Sequence, residues 1–273
     1  MEYKIIFMPK DKIIDIPDSQ QIYGFILSKM SNSGFDTKNI IEGKNSLQVS
    51  CAMPVNTVIR PLLPMEFTRR IEDQDYPYLK KLKSIKYISE DILARIDIKN
   101  FFQCALDNLK ENKWELTDDI LKRRHQEISF SVEETLDPVR IKSDEGYITK
   151  TIPVFNAEGS MLQFLVSTDV TGLEKLLTPG TSMDLGLYNS YEIKGISPFI
   201  RKDSNTGILL SQYCPVNLEN EIYIKKSFFR TSMKNGIQYI KEGSFLKVKK
   251  NFKGQIFVKE NLIFNGQGYL YTV

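Results

Sequence analysis

Histidine and cysteine are scarce in this sequence. It has one histidine, His125, and three cysteines, Cys51, Cys104 and Cys214, among 273 residues. A single imidazole excludes histidine-rich metal sites and acid–base mechanisms that need two histidines. The cysteines lie far apart without a CxxC pair, which excludes zinc-finger and thioredoxin-like motifs. Because the cysteine count is low and odd, we expect reduced thiols and a cytoplasmic protein.

Long apolar runs are also missing. No run reaches the ~18 residues of a membrane span, so we expect no membrane partner. The N-terminal residues MEYKIIFMPKDKIIDIP have charged residues on both sides of a short apolar core and no small-residue cleavage site. They predict a β-strand rather than a signal peptide. The sequence contains no Walker loop, GxSxG or HExxH motif, and we expect no cofactor and no metal.

The net charge is only +3, but it is distributed unevenly. Residues 222–259 contain ten Lys or Arg and one Glu, a net +9, so the rest of the chain sums to −6. Seven aromatic residues interleave with these bases: Tyr223, Phe228, Phe229, Tyr239, Phe245, Phe252 and Phe257. Bases that neutralise phosphates and rings that stack on unpaired bases are typical of RNA binding. Equally, the aromatics could alternate into a sheet core while the lysines form a solvated face.

The first 54 residues predict a strand, a helix and a second strand. Residues 2–8 have strand composition, and Asp18 or Ser19 can cap the helix that follows. The apolar face of that helix has i, i+3, i+4 spacing: Ile22, Phe25, Ile26 and Met30. Residues 46–54 alternate as a strand until Pro54 ends it.

The rest of the chain changes its apolar period. Residues 55–88 contain three prolines and no clear period, and predict an irregular, surface-exposed insertion. Residues 90–124 have a helical pattern, with a second short helix near 117–121. From residue 127 the period is two, which predicts strands, interrupted by a short helix over 170–177.

This succession predicts an α+β protein. We expect a ferredoxin-like or RRM-like fold, with two tandem βαββαβ-type halves. The first domain would cover 1–169, including the insertion over 55–88. A β-rich second domain would cover 170–273.

Several segments, in their order along the chain, resemble the RAMP (repeat-associated mysterious protein) superfamily of CRISPR effector subunits. The resemblance is to its Cas-five group, which includes the fourth Csm subunit of type III-A complexes. The segments are IPDSQQIYGFILSKM, VIRPLLPMEF, LKKLKSIKYISEDI, NTGILLSQYCP, SFFRT, YIKEGSFLKVKKNFKGQIF and GQGYLY. They span nearly the whole chain, and their order carries more weight than any one of them.

Two segments depart from the family pattern. The superfamily usually has a glycine-rich loop that approaches RNA phosphates closely. Here the corresponding segment is LTPGTSMDLGLYNSYEI, which keeps only Gly180 and Gly186. The segment RRHQEISF keeps only the basic character of the family pattern.

The resemblance implies a non-catalytic subunit that holds the 5′ tag of the crRNA and caps the backbone filament. Its partners would be crRNA, a Cas-seven-type backbone subunit, a large Cas-ten-type subunit or other effector nuclease, and, indirectly, target RNA. A β-hairpin thumb from the first domain would kink the guide, and the candidate is residues 137–155. The resemblance and the basic composition together give these candidate RNA-binding residues: Arg60, Lys80, Lys81, Lys83, Arg123, Arg124, His125, Arg140, Lys142, Lys150, Gly180, Lys234, Lys249 and Lys250.

Arg60 has the most specific argument among these candidates. In VIRPLLP it directly precedes Pro61 and takes the position of the basic residue that the resembled family has between prolines, and prolines restrict the backbone. A guanidinium on such a segment loses little entropy when it binds a phosphate. The alternative is an exposed arginine in a stiff loop.

Other interpretations of single residues are open. His125 could be the general base of a RAMP endoribonuclease that processes precursor crRNA. Glu72, Asp73 and Asp75 could hold Mg²⁺ or form an internally paired loop. Asp184 could be a cleavage carboxylate or a turn residue. A RAMP-like decoy or inhibitor that binds an effector without RNA is a further alternative.

Overall fold

The computed structural model describes residues 1–128, 130–131, 133–143, 146–157, 159–186, 189–259 and 262–273, and the side chains of 139–143, 146–148 and 150 lie outside this description. The described α-helices are α1 (Ser19–Asn32), α2 (Lys38–Ile41), α3 (Tyr76–Ser84), α4 (Glu90–Leu93), α5 (Phe101–Lys110) and α6 (Leu218–Glu221). The described 3₁₀ helices are Asp73–Asp75, Ile98–Asn100, Leu173–Lys175 and Ile224–Lys226.

Strands make up most of the regular structure. In chain order they are β1 (Glu2–Pro9), β2 (Leu47–Val49), β3 (Met53–Pro54), β4 (Thr57–Ile59), β5 (Tyr87–Ser89), β6 (Trp114–Thr117), β7 (Ile120–Arg123), β8 (Glu133–Ser143), β9 (Gly146–Asn156), β10 (Leu162–Thr168), β11 (Ser182–Asp184), β12 (Ser190–Pro198), β13 (Thr206–Leu209), β14 (Thr231–Lys234), β15 (Ile237–Ile240), β16 (Phe245–Lys247), β17 (Gln255–Lys259), β18 (Leu262–Gly266) and β19 (Leu270–Thr272). The mixture of sheets with few helices confirms the α+β prediction.

The first sheet has β1 in its interior. Its order is β11-β12-β1-β10-β2, with β3 also paired to β10, and neighbouring strands are antiparallel. Alternate residues of β1, Ile5 and Phe7, are fully buried, as the period of two requires. α1 contributes its apolar face, including Ile22 and Ile26, to the same core. Asp18 caps α1 by accepting a hydrogen bond from the Gln21 amide.

The second sheet corrects the prediction for residues 55–88, which are not an irregular insertion throughout. They contain β4, α3 and β5, and the sheet order is β4-β5-β7-β6. Val58, Leu82 and Ile88 are fully buried in a core shared with α5. Each element is too short for its period to stand out between the prolines. The long irregular stretch in this range is 60–72.

The predicted short helix near 117–121 is also wrong. Thr117 ends β6 and Ile120 begins β7, and the two strands form an antiparallel hairpin. The turn residues Asp118 and Asp119 both have positive φ, 50° and 62°, as a tight hairpin turn requires. The apolar residues Ile120 and Leu121 fit a helix as well as a strand. Only the hairpin turn at Asp118 and Asp119 decides between the two. The predicted helix over 170–177 is reduced to the 3₁₀ turn Leu173–Lys175.

The remaining strands form smaller sheets. β13 lies between β16 and β19, whereas β14–β15, β17–β18 and β8–β9 are two-stranded. The long hairpin β8–β9 covers the predicted thumb over 137–155. The division at residue 169 stays a prediction, and the first sheet takes strands from both sides of it. The tandem ferredoxin-like arrangement also stays a prediction. No helix among the described residues is long and apolar enough to cross a membrane.

Asp75 links the irregular segment to α5. Its buried carboxylate accepts hydrogen bonds from Arg69 Nη1 at 2.7 Å and from Lys110 Nζ at 2.8 Å. These hydrogen bonds, with one from the Glu72 amide, hold the pKa of Asp75 below its ordinary value, Arg69 being the largest cause. The loop is therefore paired internally.

Replacing Asp75 by asparagine should remove part of the acid sensitivity of folding. Because the folded pKa is depressed, the carboxylate stabilises the fold above its unfolded pKa of about 4, and this contribution is lost as the pH falls through the folded value. Thermal melting from neutral to acid pH tests this. D75N should melt lower at neutral pH and converge with wild type in acid. D73N, at an exposed neighbour, is the control. A gap that stays constant across pH would contradict the assignment.

Candidate nucleic-acid interface

A groove forms where the proline-rich segment meets the basic C-terminal segment. It has a volume of about 630 Å³ and is lined by Arg60, Leu62, Leu63, Pro64, Met65, Lys83, Ile224, Ser227, Phe228, Phe229 and Arg230. Three cationic side chains, from residues 60, 83 and 230, thus lie around apolar and aromatic walls. The sequence separates these residues by up to 170 positions, so the groove exists only in the folded chain.

Backbone hydrogen bonds hold the two sides of the groove together. The Arg60 amide donates to Lys86 O at 2.8 Å, and the Leu62 amide donates to Gly243 O at 2.7 Å. On the other side, Phe228 and Phe245 exchange two backbone hydrogen bonds of 2.8 Å. The Arg60 guanidinium also lies 6.0 Å from the centre of the Phe102 ring. The irregular segment is therefore anchored at its beginning.

Gly243 is required for this close approach. Its φ is +83°, and a Cβ built there would lie 3.1 Å from Arg60 O. Both the left-handed backbone and the short contact favour glycine at this position.

G243A should lower the free energy of unfolding by about 1–2 kcal/mol, because it strains the backbone. It should also displace Arg60, which on the RNA interpretation of the basic segment weakens RNA binding. Urea unfolding and RNA titration measure the two effects. G236A is the matched control, since Gly236 has φ +78° but a Cβ added there would have no atom within 4 Å. If both variants bind RNA equally well, the contact with Arg60 has no functional role.

Two further pockets continue the groove. The first is lined by Leu63, Pro64, Glu66, Lys99, Thr206, Lys226, Phe228, Phe245 and Lys247, and the second by Glu219, Ile222, Tyr223, Ile224, Lys225, Lys226 and Lys249. Shared lining residues make the three pockets continuous. We call the cationic set the basic surface: Arg60, Lys83, Lys99, Lys225, Lys226, Arg230, Lys247 and Lys249.

Tyr223 lines one of the pockets that carry the basic surface. The ammonium groups of Lys226, Lys247 and Lys249 lie 5.9, 5.8 and 5.1 Å from the centre of its ring. The ring attracts each cation through its π-face. Tyr223 is itself 42% exposed, so this cluster remains accessible.

The electrostatics of the groove favour an anion. Burial, and secondarily the charge of Arg230, lower the pKa of Arg60 from its ordinary value. Among the described residues, no member of the basic surface forms an ion pair with a carboxylate. Neighbouring cations without carboxylate partners are stabilised by binding phosphate.

Some aromatic residues of 222–259 fit a sheet core and others fit RNA binding, the two interpretations that the sequence left open. Tyr239 and Phe245 are buried, as the sheet-core interpretation requires. Tyr223 and Phe228 are 42% and 45% exposed and lie on the basic surface, as the RNA interpretation requires. The lysine between them, Lys226, lines two of its pockets.

The structure brings together only some of the predicted site residues. Arg60, Lys83 and Lys249 lie on the basic surface, and Lys249 also donates to Glu219 O at 2.5 Å. Lys80 and Lys81 are on α3 but line none of its pockets. Lys250 is exposed beside Lys249, whereas Lys234 pairs with Asp18 at 3.4 Å.

Gly180 and the segment 123–125 lie apart from the basic surface. Gly180 has φ +87° and donates its amide to Ile193 O at 2.8 Å. Arg123 ends β7 and pairs with Asp91 at 3.2 Å. Arg124 and His125 follow in an exposed turn, where His125 has φ +65°. The segment therefore follows a strand rather than joining a helix to a strand.

The candidates that remain are three basic residues of the long hairpin, Asp184 and a possible metal site. The side chains of Arg140, Lys142 and Lys150 lie outside the described residues. Asp184 accepts hydrogen bonds from the hydroxyls of Ser182 at 3.1 Å and Ser190 at 2.6 Å. Within the described ranges no group of three or more metal-ligating side chains is present.

Sequence reasoning did not select Lys99, Lys225, Lys226, Arg230 and Lys247. Four of them belong to the basic stretch 222–259, so the charge count contained them without ranking them. Lys99 gave no sequence signal, because it precedes α5 and reaches the first of the two further pockets only in the fold. The motif SFFRT, whose residues 227–230 line the groove, was the available signal for Arg230.

Comparisons with known proteins identify the fold. No protein-family model and no curated protein matches the chain. A crystal structure of a Csm3–Csm4 subcomplex in the type III-A CRISPR-Cas interference complex matches with 15% identity and a TM-score of 0.64, over 100% of this chain and 99% of that chain. Crystal structures of a Csm1–Csm4 cassette, with AMPPNP and with one ATP, match with 17% and 19% identity and TM-scores of 0.62 and 0.57, over 100% of this chain and 98% of each matched chain. The protein therefore has the Csm4-like RAMP fold that the sequence resemblance predicts.

Proposed function

We propose that this protein is a crRNA-binding subunit of a type III or type III-derived CRISPR effector, without catalysis of its own. The observation that carries the proposal is the basic surface, with two exposed aromatic rings, on a Csm4-like fold. The similar solved structures named above are of Csm4 in complexes with Csm1 and with Csm3. By analogy, the partners of this chain are a large Cas-ten-type subunit and a Cas-seven-type backbone subunit.

The chemistry of the basic surface suits single-stranded RNA. Cations spaced along connected pockets can follow a phosphate backbone, and accessible rings can stack on unpaired bases. The apolar walls of the groove, Leu62 to Met65, offer a face for a base that has left its stack. In the assembled effector, we propose that this RNA is the 5′ tag of the crRNA.

RNA binding by the purified full-length chain tests this function. A labelled single-stranded repeat-derived RNA should bind, with an affinity that falls steeply as salt increases because phosphate contacts dominate. Co-purified RNA should be protected from nuclease. A flat salt response, or a chain that carries no RNA at low salt, would contradict the proposal and favour an effector-binding decoy.

The non-catalytic part of the proposal has its own test. Precursor crRNA incubated with wild type and with H125A should remain equally intact, because His125 is exposed and no described residue hydrogen-bonds its ring. R124A serves as a neighbouring basic control. Cleavage by wild type that is lost in H125A would identify an endoribonuclease instead.

A further inference from the structure

A second surface of the protein has the opposite charge. A pocket of about 460 Å³ is lined by Ile13, Asp15, Ile16, Lys86, Tyr87, Asp118, Asp119, Phe130, Glu134 and Phe155. It shares no lining residue with the three pockets of the basic surface. Four carboxylates and one ammonium therefore surround a mainly apolar and aromatic floor.

In the described part of the chain, two of the carboxylates have partners and two do not. Asp119 pairs with Lys86 at 2.8 Å, and Asp15 accepts a hydrogen bond from the Asn189 side chain at 3.2 Å. Asp118 and Glu134 have no side-chain partner among the described residues. The pocket thus has negative charge that no described residue neutralises.

The floor of the pocket is aromatic. The Tyr87 ring packs edge-on against Phe130, with ring centres 6.4 Å apart. Tyr87 is half-buried, so its ring remains accessible from the pocket that it lines. Such an accessible aromatic surface favours an apolar side chain of the occupant, because covering it removes apolar area from water.

The pocket lies at the base of the long hairpin. Glu134 of β8 and Phe155 of β9 face each other in the register of that hairpin. Phe155 also exchanges backbone hydrogen bonds of 2.9 and 2.6 Å with Ile13, which joins the hairpin to the body of the protein. An occupant of this pocket would therefore contact both the hairpin and the body.

We propose that this pocket binds a protein partner through a segment that carries lysine or arginine beside an apolar side chain. The apolar residue would pack on Phe130 and Phe155, while its basic neighbour would pair with Asp118 and Glu134. The same carboxylates would repel RNA phosphates. The proposal concerns protein–protein contact and does not depend on RNA binding at the basic surface.

Peptide binding to the full-length chain tests the inference. The probe is a fluorescein-labelled peptide of alternating lysine and leucine, measured by anisotropy at low and moderate salt. The double variant D118N/E134Q should bind it about fivefold more weakly, because exposed charge pairs contribute modestly. D203N/E111Q, which neutralises two exposed acids elsewhere, should bind like wild type. Peptides with serine for leucine or glutamate for lysine should bind poorly.

Each of the following results would contradict the proposed peptide site. Equal binding by both double variants, or equal binding of the serine peptide, would show that the pocket is not the site. Self-association that D118N/E134Q abolishes, without peptide binding, would identify a second copy as the occupant. Displacement of the peptide by Mg²⁺ in wild type only would identify a cation site. RNA affinity, measured in parallel, should be unchanged in D118N/E134Q, so failure of the two proposals is distinguishable.

Discussion

Replacing Arg60, Lys226 and Arg230 by alanine should weaken single-stranded RNA binding on the order of 100-fold at low salt. The three side chains lie on connected pockets, and Arg60 and Arg230 line the same groove. If each lost phosphate contact costs about 1 kcal/mol, together they give this factor. The slope of log affinity against log salt should decrease by about 2, because three contacts to a single strand are lost.

The control for this variant removes the same number of positive charges elsewhere. K38A/K44A/K113A deletes lysines that pair with surface carboxylates, namely Glu42 and Glu111. It should bind RNA within about twofold of wild type with nearly the same salt slope. Equal losses in the two triple variants would mean that only net charge matters, and the basic surface would lose its role.

Replacing Glu221 by alanine should destabilise the fold by about 3–4 kcal/mol, the largest stability effect that we expect from one polar residue. Its buried carboxylate accepts hydrogen bonds from the Tyr213 hydroxyl and from the amides of Val216, Asn217, Lys253 and Gly254. Removing it leaves several buried donors without an acceptor, which costs more than the bonds themselves contribute. Urea unfolding at neutral pH measures the loss.

The pH dependence of this effect has a defined sign. Burial raises the pKa of Glu221, but the Tyr213 hydroxyl and the backbone amides outweigh it, so the net pKa is lowered. The carboxylate therefore stabilises the fold above its unfolded pKa of about 4.3, and this stability is lost as the pH falls through the folded value. The gap between wild type and E221A should shrink in acid. E219A, at an exposed acid in the same short helix, should unfold like wild type at both pH values.

The elements that the sequence predicted well are those with a long, regular period. β1 and α1 repeat their apolar residues often enough that strand and helix are distinguishable. The prediction for β6–β7 was wrong because its apolar residues are too few to distinguish a helical period from a strand period. The positive φ of Asp118 and Asp119 makes the hairpin turn, and this turn decided the outcome. The prediction for 55–88 was wrong because strands of three residues between prolines are too short to show an apolar period.

The candidate site could be predicted only as a type of surface. Composition identified 222–259 as basic and aromatic, and the family resemblance selected Arg60, but neither showed that they meet. Lys234 illustrates the limit, since its charge counted toward RNA binding while the fold pairs it with Asp18. Lys99 illustrates the converse, because it became a candidate only through its place in the fold.

The sequence by itself determined the α+β class, the first strand and helix, and the uneven distribution of charge, because these depend on local period and composition. The family resemblance determined the expected fold, since it rests on the order of motifs along the chain. Only the tertiary structure decided which charges converge. Backbone hydrogen bonds of Arg60, Leu62 and Phe228 bring the basic groove together from distant segments. The same folding gathers Asp15, Asp118 and Glu134 into an acidic pocket, because proximity in space follows sheet pairing rather than sequence distance.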